Sequence, residues 1–140
     1  MSDIAIRPYE LIDRVAVSRL WNEVFPNPLP HNVPEEAIDR FIYADAGVFF
    51  VASVGDRVVG TALGGYDGHR GWIYSLAVDS LYRRQGIGSK LVLATEASLT
   101  ERGCKKINLQ VRSDNDAVAG FYKQLGFTVE ERISMGKLVG

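Results

Sequence analysis

A single cysteine, Cys104, leaves this chain without any intramolecular disulfide, which suits a reducing compartment such as the cytoplasm. An excess of charge is missing as well: 16 Lys and Arg stand against 17 Asp and Glu, for a net charge of -1. A chain so balanced has no global electrostatic pull toward nucleic acid, so any basic patch must be local and no nucleic-acid partner is expected. No apolar run approaches the roughly 20 residues that cross a bilayer, and no membrane partner is expected either. The first eight residues lack the basic-then-apolar pattern of a secretory signal. What remains is the composition of a soluble, cytoplasmic protein, 46% hydrophobic and 24% charged. Its 140 residues suffice for one domain, 1–140, with a core of its own.

Proline is scarce, and three of the five prolines fall together in Pro26-Asn27-Pro28-Leu29-Pro30. They end a helix predicted over 9–25, where Ile12, Ala16, Leu20 and Val24 recur every four residues beside Val17, Trp21 and Phe25. A short strand at 4–7 precedes it, stopped by Pro8. Asn32 with Glu35 reads as a capping box opening a second helix through Tyr43. Strands at 48–54 and 57–63 flank a tight Gly55-Asp56 turn, and a third at 72–78 completes an antiparallel meander. A helix follows from Ser89 to Arg102, with Ile87, Leu91, Ala94 and Ser98 inward, Val92 and Leu99 beside them, and Gly103 at its end. Then come a half-buried strand at 107–111 and a helix at 115–125 with Val118, Phe121, Tyr122 and Leu125 on one face. Strands at 127–129 and 133–139 close the chain. The expected order is β-α-α-β-β-β-α-β-α-β-β.

The chemistry concentrates between the third strand and the helix that follows it, in Arg83-Arg84-Gln85-Gly86-Ile87-Gly88. Glycines let the backbone approach an oxyanion, and the unpaired amides of a first helical turn point at it. Arg83, Arg84 and Lys90 add full positive charges to the helix-end dipole. A phosphate-bearing ligand is expected here. It is not held by a dinucleotide fingerprint, because position 91 is Leu where a third glycine is needed. Nor is this a Walker loop, because Gly88 is followed by Ser89-Lys90 and not by Lys-Ser or Lys-Thr.

The order and motifs resemble the GNAT superfamily of acetyl-CoA-dependent N-acetyltransferases over essentially the whole chain. That family's pyrophosphate signature (Gln or Arg, two residues, Gly, one residue, Gly or Ala) is matched by Arg83 to Gly88. Its second signature is matched by Asn115 leading to Phe121-Tyr122-Lys123-Gln124-Leu125-Gly126-Phe127. Two further stretches, 64–71 and 134–137, look like the YpeA-type branch of small bacterial members. The resemblance implies an α/β fold: a mixed, mostly antiparallel sheet of six to seven strands with about four helices on both faces.

The resemblance also implies acetyl-CoA as donor substrate and no metal. The backbone of Leu76, Ala77 and Val78 would pair with the pantetheine arm, and the Val78 amide would donate to the thioester oxygen. Arg83, Arg84, Gln85, Gly86, Ile87, Gly88 and Ser89 would hold the pyrophosphate. Tyr122 matches the family's general acid, and Asn115 is either a cofactor contact or the cap of its helix. The strand at 72–78 carries no carboxylate to serve as base, which leaves Asp67, His69, Glu23 or an ordered-water relay. Trp21, Phe25 and the proline-rich loop to Asn32, including His31, occupy the segment that lines the acceptor pocket in the family, or else belong to the core. The acceptor is expected to be a small amine or a protein amine, with a homodimer as one option for assembly. The rival reading is a catalytically silent acyl-CoA-binding regulatory module.

Overall fold

A two-residue turn sets the sheet. Gly55, at φ +58, reverses the chain between β2 (Gly47–Val54) and β3 (Arg57–Tyr66), pairing Val54 with Arg57. The structure, a computed structural model, describes residues 3–45 and 47–140. β1 (Ile4–Pro8) joins the far side of β2 and β4 (Gly71–Val78) the far side of β3, both antiparallel. β5 is only Ile107–Asn108, parallel to the start of β4 through Gly71↔Ile107 and Trp72↔Asn108. The sheet order is β1-β2-β3-β4-β5, mixed and mostly antiparallel as the sequence predicts. The chain divides into two compact units, one running to Gln110 and the other Val111–Gly140.

In the first unit α1 (Arg14–Val24) and α2 (Pro34–Ala44) cover one face of the sheet, and α3 (Ile87–Glu101) covers the other. α1 begins later than its periodicity suggests. Asp13, buried beneath, accepts two bonds from Arg7 at 2.8 and 2.9 Å and one from the Glu10 amide at 2.9 Å. That anchor holds Glu10 extended, so only a 3-10 turn, Leu11–Asp13, precedes the helix. α2 starts at Pro34, whose fixed φ suits a first helical position, with Val33 at the cap. Asn32 instead ends a 3-10 turn, Pro30–Asn32, and the expected capping box does not form.

The α1–α2 face is aromatic. Phe49 stacks on Tyr9 at 4.3 Å and on Trp21 at 5.9 Å, and Phe41 meets it edge-on at 5.9 Å. The α3 face is built of aliphatics against glycine. A Cβ at Gly60 would lie 2.9 Å from Leu91 Cδ1, and one at Gly64 would lie 2.5 Å from Thr95 Cγ2. Bare backbone at these two positions therefore lets the helix sit close. Thr95, its hydroxyl donating to Leu91 O at 2.8 Å, takes an inward place expected of Ala94 and Ser98, which are only half-buried. Cys104, a free thiol 5% exposed, packs as a small residue past the end of α3, its Sγ 3.3 Å from Lys106 O.

The second unit is built on α4 (Asp116–Gln124), capped by the Asn115 side chain accepting from the Val118 amide at 3.2 Å. The Tyr122 ring packs edge-on against Phe121 at 5.0 Å and Phe127 at 5.6 Å. Neither of the two last expected strands forms: 127–140 contains no strand, and every residue from 128 onward is exposed. The apolar alternation is present in 133–139, but no face is buried to fix a register. The Arg132 amide also turns back to Glu130 O at 2.9 Å, interrupting any extended run. β5 likewise stops at Asn108 and does not reach 111. Among the described residues five strands are therefore observed in place of six to seven, in the order β-α-α-β-β-β-α-β-α. Among the described residues, no helix is long and apolar enough to cross a membrane.

Candidate active site

The site begins with a fault in β4. Thr61 and Leu63 of β3 are two residues apart, yet their partners Ala77 and Tyr74 are three apart. The extra residue is absorbed around Ser75, whose φ of +52 is left-handed. For a side-chain-bearing residue that backbone costs on the order of 1 kcal/mol or more. Such a bulge reverses the parity of the strand. Before it, the Gly71 amide donates to Lys106 O at 2.8 Å, on the β5 side, and Tyr74 packs against Phe41 of α2. After it, the Asp79 amide donates to Val59 O of β3 at 2.8 Å. Alternation along the strand then turns Ala77 toward β3 as well, and Leu76 and Val78 toward the opposite edge. β5 has ended by that point, because its pairing stops at Trp72. Leu76 and Val78 thus aim backbone groups at an edge where the described sheet has no further strand.

A chain of hydrogen bonds running out from the core backs the bulge. Trp21 Nε1–H donates to Thr61 Oγ1 at 2.8 Å, and Thr61 donates to Ser75 O at 2.9 Å. Thr61 is fully buried and Trp21 nearly so. Trp21 accordingly belongs to the core and does not line an acceptor pocket. Sequence reading missed both Thr61 and Ser75.

The loop beyond β4 is pinned by Asp79. Its carboxylate, 6% exposed, accepts from the Leu81 amide at 2.9 Å and from Arg57 at 3.0 Å. The Leu81 hydrogen bond, with Arg57 adding to it, holds Asp79 below the usual carboxylate range. Arg57 also lies over the Tyr82 ring, 5.7 Å from its centre. Arg83 Nε–H then reaches back to Val78 O at 3.3 Å.

Arg84 at φ +63 and Gly86 at φ +76 are both left-handed and flank Gln85. Alternating backbone of this kind turns successive amides into an anion-sized concavity. Gly86 caps α3, so the amides of Ile87, Gly88 and Ser89 fall in its first turn, where no intrahelical acceptor exists. The Ile87 side chain is driven into the core and fixes that turn in place. Arg83, Arg84, Gln85 and Lys90 are exposed around it, and the first turn carries no acid. A Cβ on Gly86 would meet nothing within 4 Å, so the space above the loop is open and the glycine is required by its φ alone. Convergent amides, the helix dipole and three exposed cations suit an anion of the phosphate class.

Leu76, Ala77, Val78 and the residues from Arg83 to Ser89 all lie in the first unit; Asn115 and Tyr122 lie in the second. Tyr122 is buried, and burial pushes its phenol up to about 12, so it stays protonated at neutral pH. Of the base candidates, Asp67 is occupied: it accepts from the amides of Arg70 at 2.8 Å and His69 at 2.7 Å. Those bonds hold its carboxyl below the ordinary range, and its role is to close the β3–β4 turn. His69 is exposed on that turn. Glu23 lines two cavities on the α1 side: one of about 410 Å³ with Glu35, the other of about 470 Å³ with Asp56 and Asp79.

An α/β sheet whose bulged strand opens just before an anion-binding loop defines an acyl-CoA-using transferase, the class that the sequence motifs imply. Residues 14–127 match the Acetyltransferase (GNAT) family, across both units, and the chain belongs to that family. An acetyltransferase of Yersinia pestis (strain Pestoides F) is 44% identical, covering 94% of this chain and 93% of its own length. A second, from Pectobacterium atrosepticum, is 43% identical over the same shares. Among solved structures, an aminoglycoside acetyltransferase from an uncultured soil sample is 26% identical with a TM-score of 0.75, over 97% of this chain and 95% of that one. The aminoglycoside N-acetyltransferase AAC(6')-Iy has a TM-score of 0.85 over 99% and 96% of the two chains; at 18% identity it shares the fold. The protein is an acetyltransferase with acetyl-CoA as its donor.

Proposed function

We propose that the protein transfers acetyl from acetyl-CoA directly to the nitrogen of a primary amine, within a ternary complex. The observation that carries this reading is the edge at Leu76 and Val78, presented immediately before the anion loop. Amides from Arg84 to Ser89 hold the pyrophosphate, with Arg83 and Arg84 as counter-charges. Leu76 and Val78 pair with the pantetheine arm as a neighbouring strand would, and Ala77 packs the strand beneath them. The Val78 N–H is the donor to the thioester oxygen, stabilising the oxyanion as the amine adds to the carbonyl carbon. The C–S bond then breaks and coenzyme A leaves as a thiolate, while the amine proton departs to a base or to water.

Tyr122 is proposed as the donor at sulfur, from its place in the Asn115–Phe127 motif. A proton passing from a phenol at about 12 to a thiol of reference pKa about 8.5 moves uphill by about 5 kcal/mol. Its contribution is therefore a hydrogen bond that strengthens as charge builds on sulfur, with solvent supplying the final proton. Asn115 serves as the cap that sets the helix carrying Tyr122. The acceptor is a small amine or a protein amine. Exposed Glu23 and Asp56 and half-buried Glu35 line the two cavities together with Arg14, Arg19 and Arg57, so the support for a cationic acceptor is the aminoglycoside in the name of a structural neighbour.

A panel of small amines, aminoglycosides and lysine peptides, scored by coenzyme A thiol release, tests the reading. Release is expected with at least one member, and Tyr122→Phe should lower kcat by about 10²-fold with acetyl-CoA affinity unchanged. Because Tyr122 is neutral below about 12, its share of kcat should persist to about pH 10. Acetyl-CoA binding with no release across the panel would favour the silent acyl-CoA-binding module.

A further inference from the structure

We propose that Thr61 is a positioning residue for the acetyl-CoA arm: its hydroxyl latches the Ser75 bulge and so decides which amides of β4 face the open edge. This rests on the reading of that edge proposed above. With no bulge, the ladder that sends the Gly71 amide toward Lys106 would continue in step. Ser75 and Ala77 would then face the edge, and Leu76 and Val78 would face β3. One inserted residue exchanges them. The exchange requires Ser75 to stay left-handed at φ +52, a conformation that relaxes unless its surroundings hold it.

Thr61 is built to hold it. An indole N–H can only donate and a backbone carbonyl can only accept. The Thr61 oxygen, 2.8 Å from Trp21 Nε1, must therefore accept from the indole N–H and donate its own O–H to Ser75 O, 2.9 Å away. The direction of the relay is fixed at both ends, and Thr61 at its centre is fully buried, so its hydroxyl has no water to turn to. A valine would fill the same volume and favour a strand equally. The hydroxyl is what the position needs, since its neighbours in β3 are Gly60 and Ala62 and no other described side-chain bond reaches the bulge carbonyl.

The test separates loop from arm with two probes. 3′-Phosphoadenosine 5′-diphosphate carries the phosphates without the pantetheine; acetyl-CoA carries both. Calorimetry on Thr61→Val should show the nucleotide binding as in the parent and acetyl-CoA binding about tenfold more weakly, the scale of one lost buried hydrogen bond. Thr61→Ser, which keeps the hydroxyl, should restore acetyl-CoA affinity. Thr61→Ala, which also removes the hydroxyl but adds no bulk, should weaken acetyl-CoA selectively in the same way if Thr61→Val does not fold. Equal loss of both probes, parental affinity for both, or no rescue by Ser overturns the positioning role. If the parent binds the nucleotide as tightly as acetyl-CoA, the edge reading itself falls, and the Thr61 role with it.

Discussion

The two ends of β4 are one strand in two environments. At Gly71 and Trp72 the strand is paired on both sides, and a Cβ on Gly71 would lie 2.7 Å from Cys104 Sγ and 3.1 Å from Leu99. At Ala77 and Val78 it is paired with β3 alone, after a left-handed residue, and runs into a loop with open space above Gly86. The closed end has no tolerance for added atoms and no unspent backbone donors; the open end has both. Stability is concentrated where the ladder is complete, and binding capacity where it has been interrupted at a known cost. Substitutions at the two ends should therefore fail in different ways.

The largest effect is expected at the open end. Gly86→Val must either abandon φ +76 or place its branched side chain in the anion's space. Acetyl-CoA affinity should fall at least about 10²-fold by calorimetry, equivalent to about 2.7 kcal/mol, while the fold persists. Near-parental affinity would remove the anion site from this loop. The converse is expected at the closed end. Gly71→Val overpacks against Cys104 and Leu99 and should cost about 2 kcal/mol of stability, with acetyl-CoA affinity per folded molecule unchanged. An affinity loss there, at full folding, would erase the distinction between the ends.

Asp79 gives the smallest and most discriminating effect. Asn can still cap Leu81 but cannot pair with the half-exposed Arg57, so Asp79→Asn should cost about 0.5–1 kcal/mol. Its folded carboxyl lies below its unfolded value of 3.8, so the stabilisation is complete above that value. It is lost as pH falls through the lowered folded value, where the parent must take up a proton to stay folded. The parent should lose stability over that acidic window and Asp79→Asn should lose less. Parallel acid profiles for the two proteins would refute the linkage.

What was legible in the sequence is what lies close along the chain. The glycine loop that opens α3 is six consecutive residues, the hairpin turn two, and the cap of α4 reaches three residues from Asn115 to Val118, so local chemistry declared the shape of each. The bulge was not legible because its latch joins Trp21 to Thr61 across 40 residues and Thr61 to Ser75 across 14. Nothing in a run of Val58-Val59-Gly60-Thr61-Ala62 marks which hydroxyl will be met by an indole. α1 started late for a similar reason, since Arg7 and Asp13 had to meet before Glu10 could be held extended. The final strands failed in the other direction: alternation in 133–139 predicted a sheet edge, but alternation specifies a strand only where one face is buried.

The lone buried sulfur has a practical reach. With Cys104 5% exposed behind Gly71, a thiol-reactive dye added to the native enzyme and its substrates reads product coenzyme A against almost no protein background. The same dye applied to the enzyme alone becomes a clock for opening. Cys104 can react only in molecules that have opened around it, so its labelling rate samples the equilibrium population of that open form when reclosing is fast.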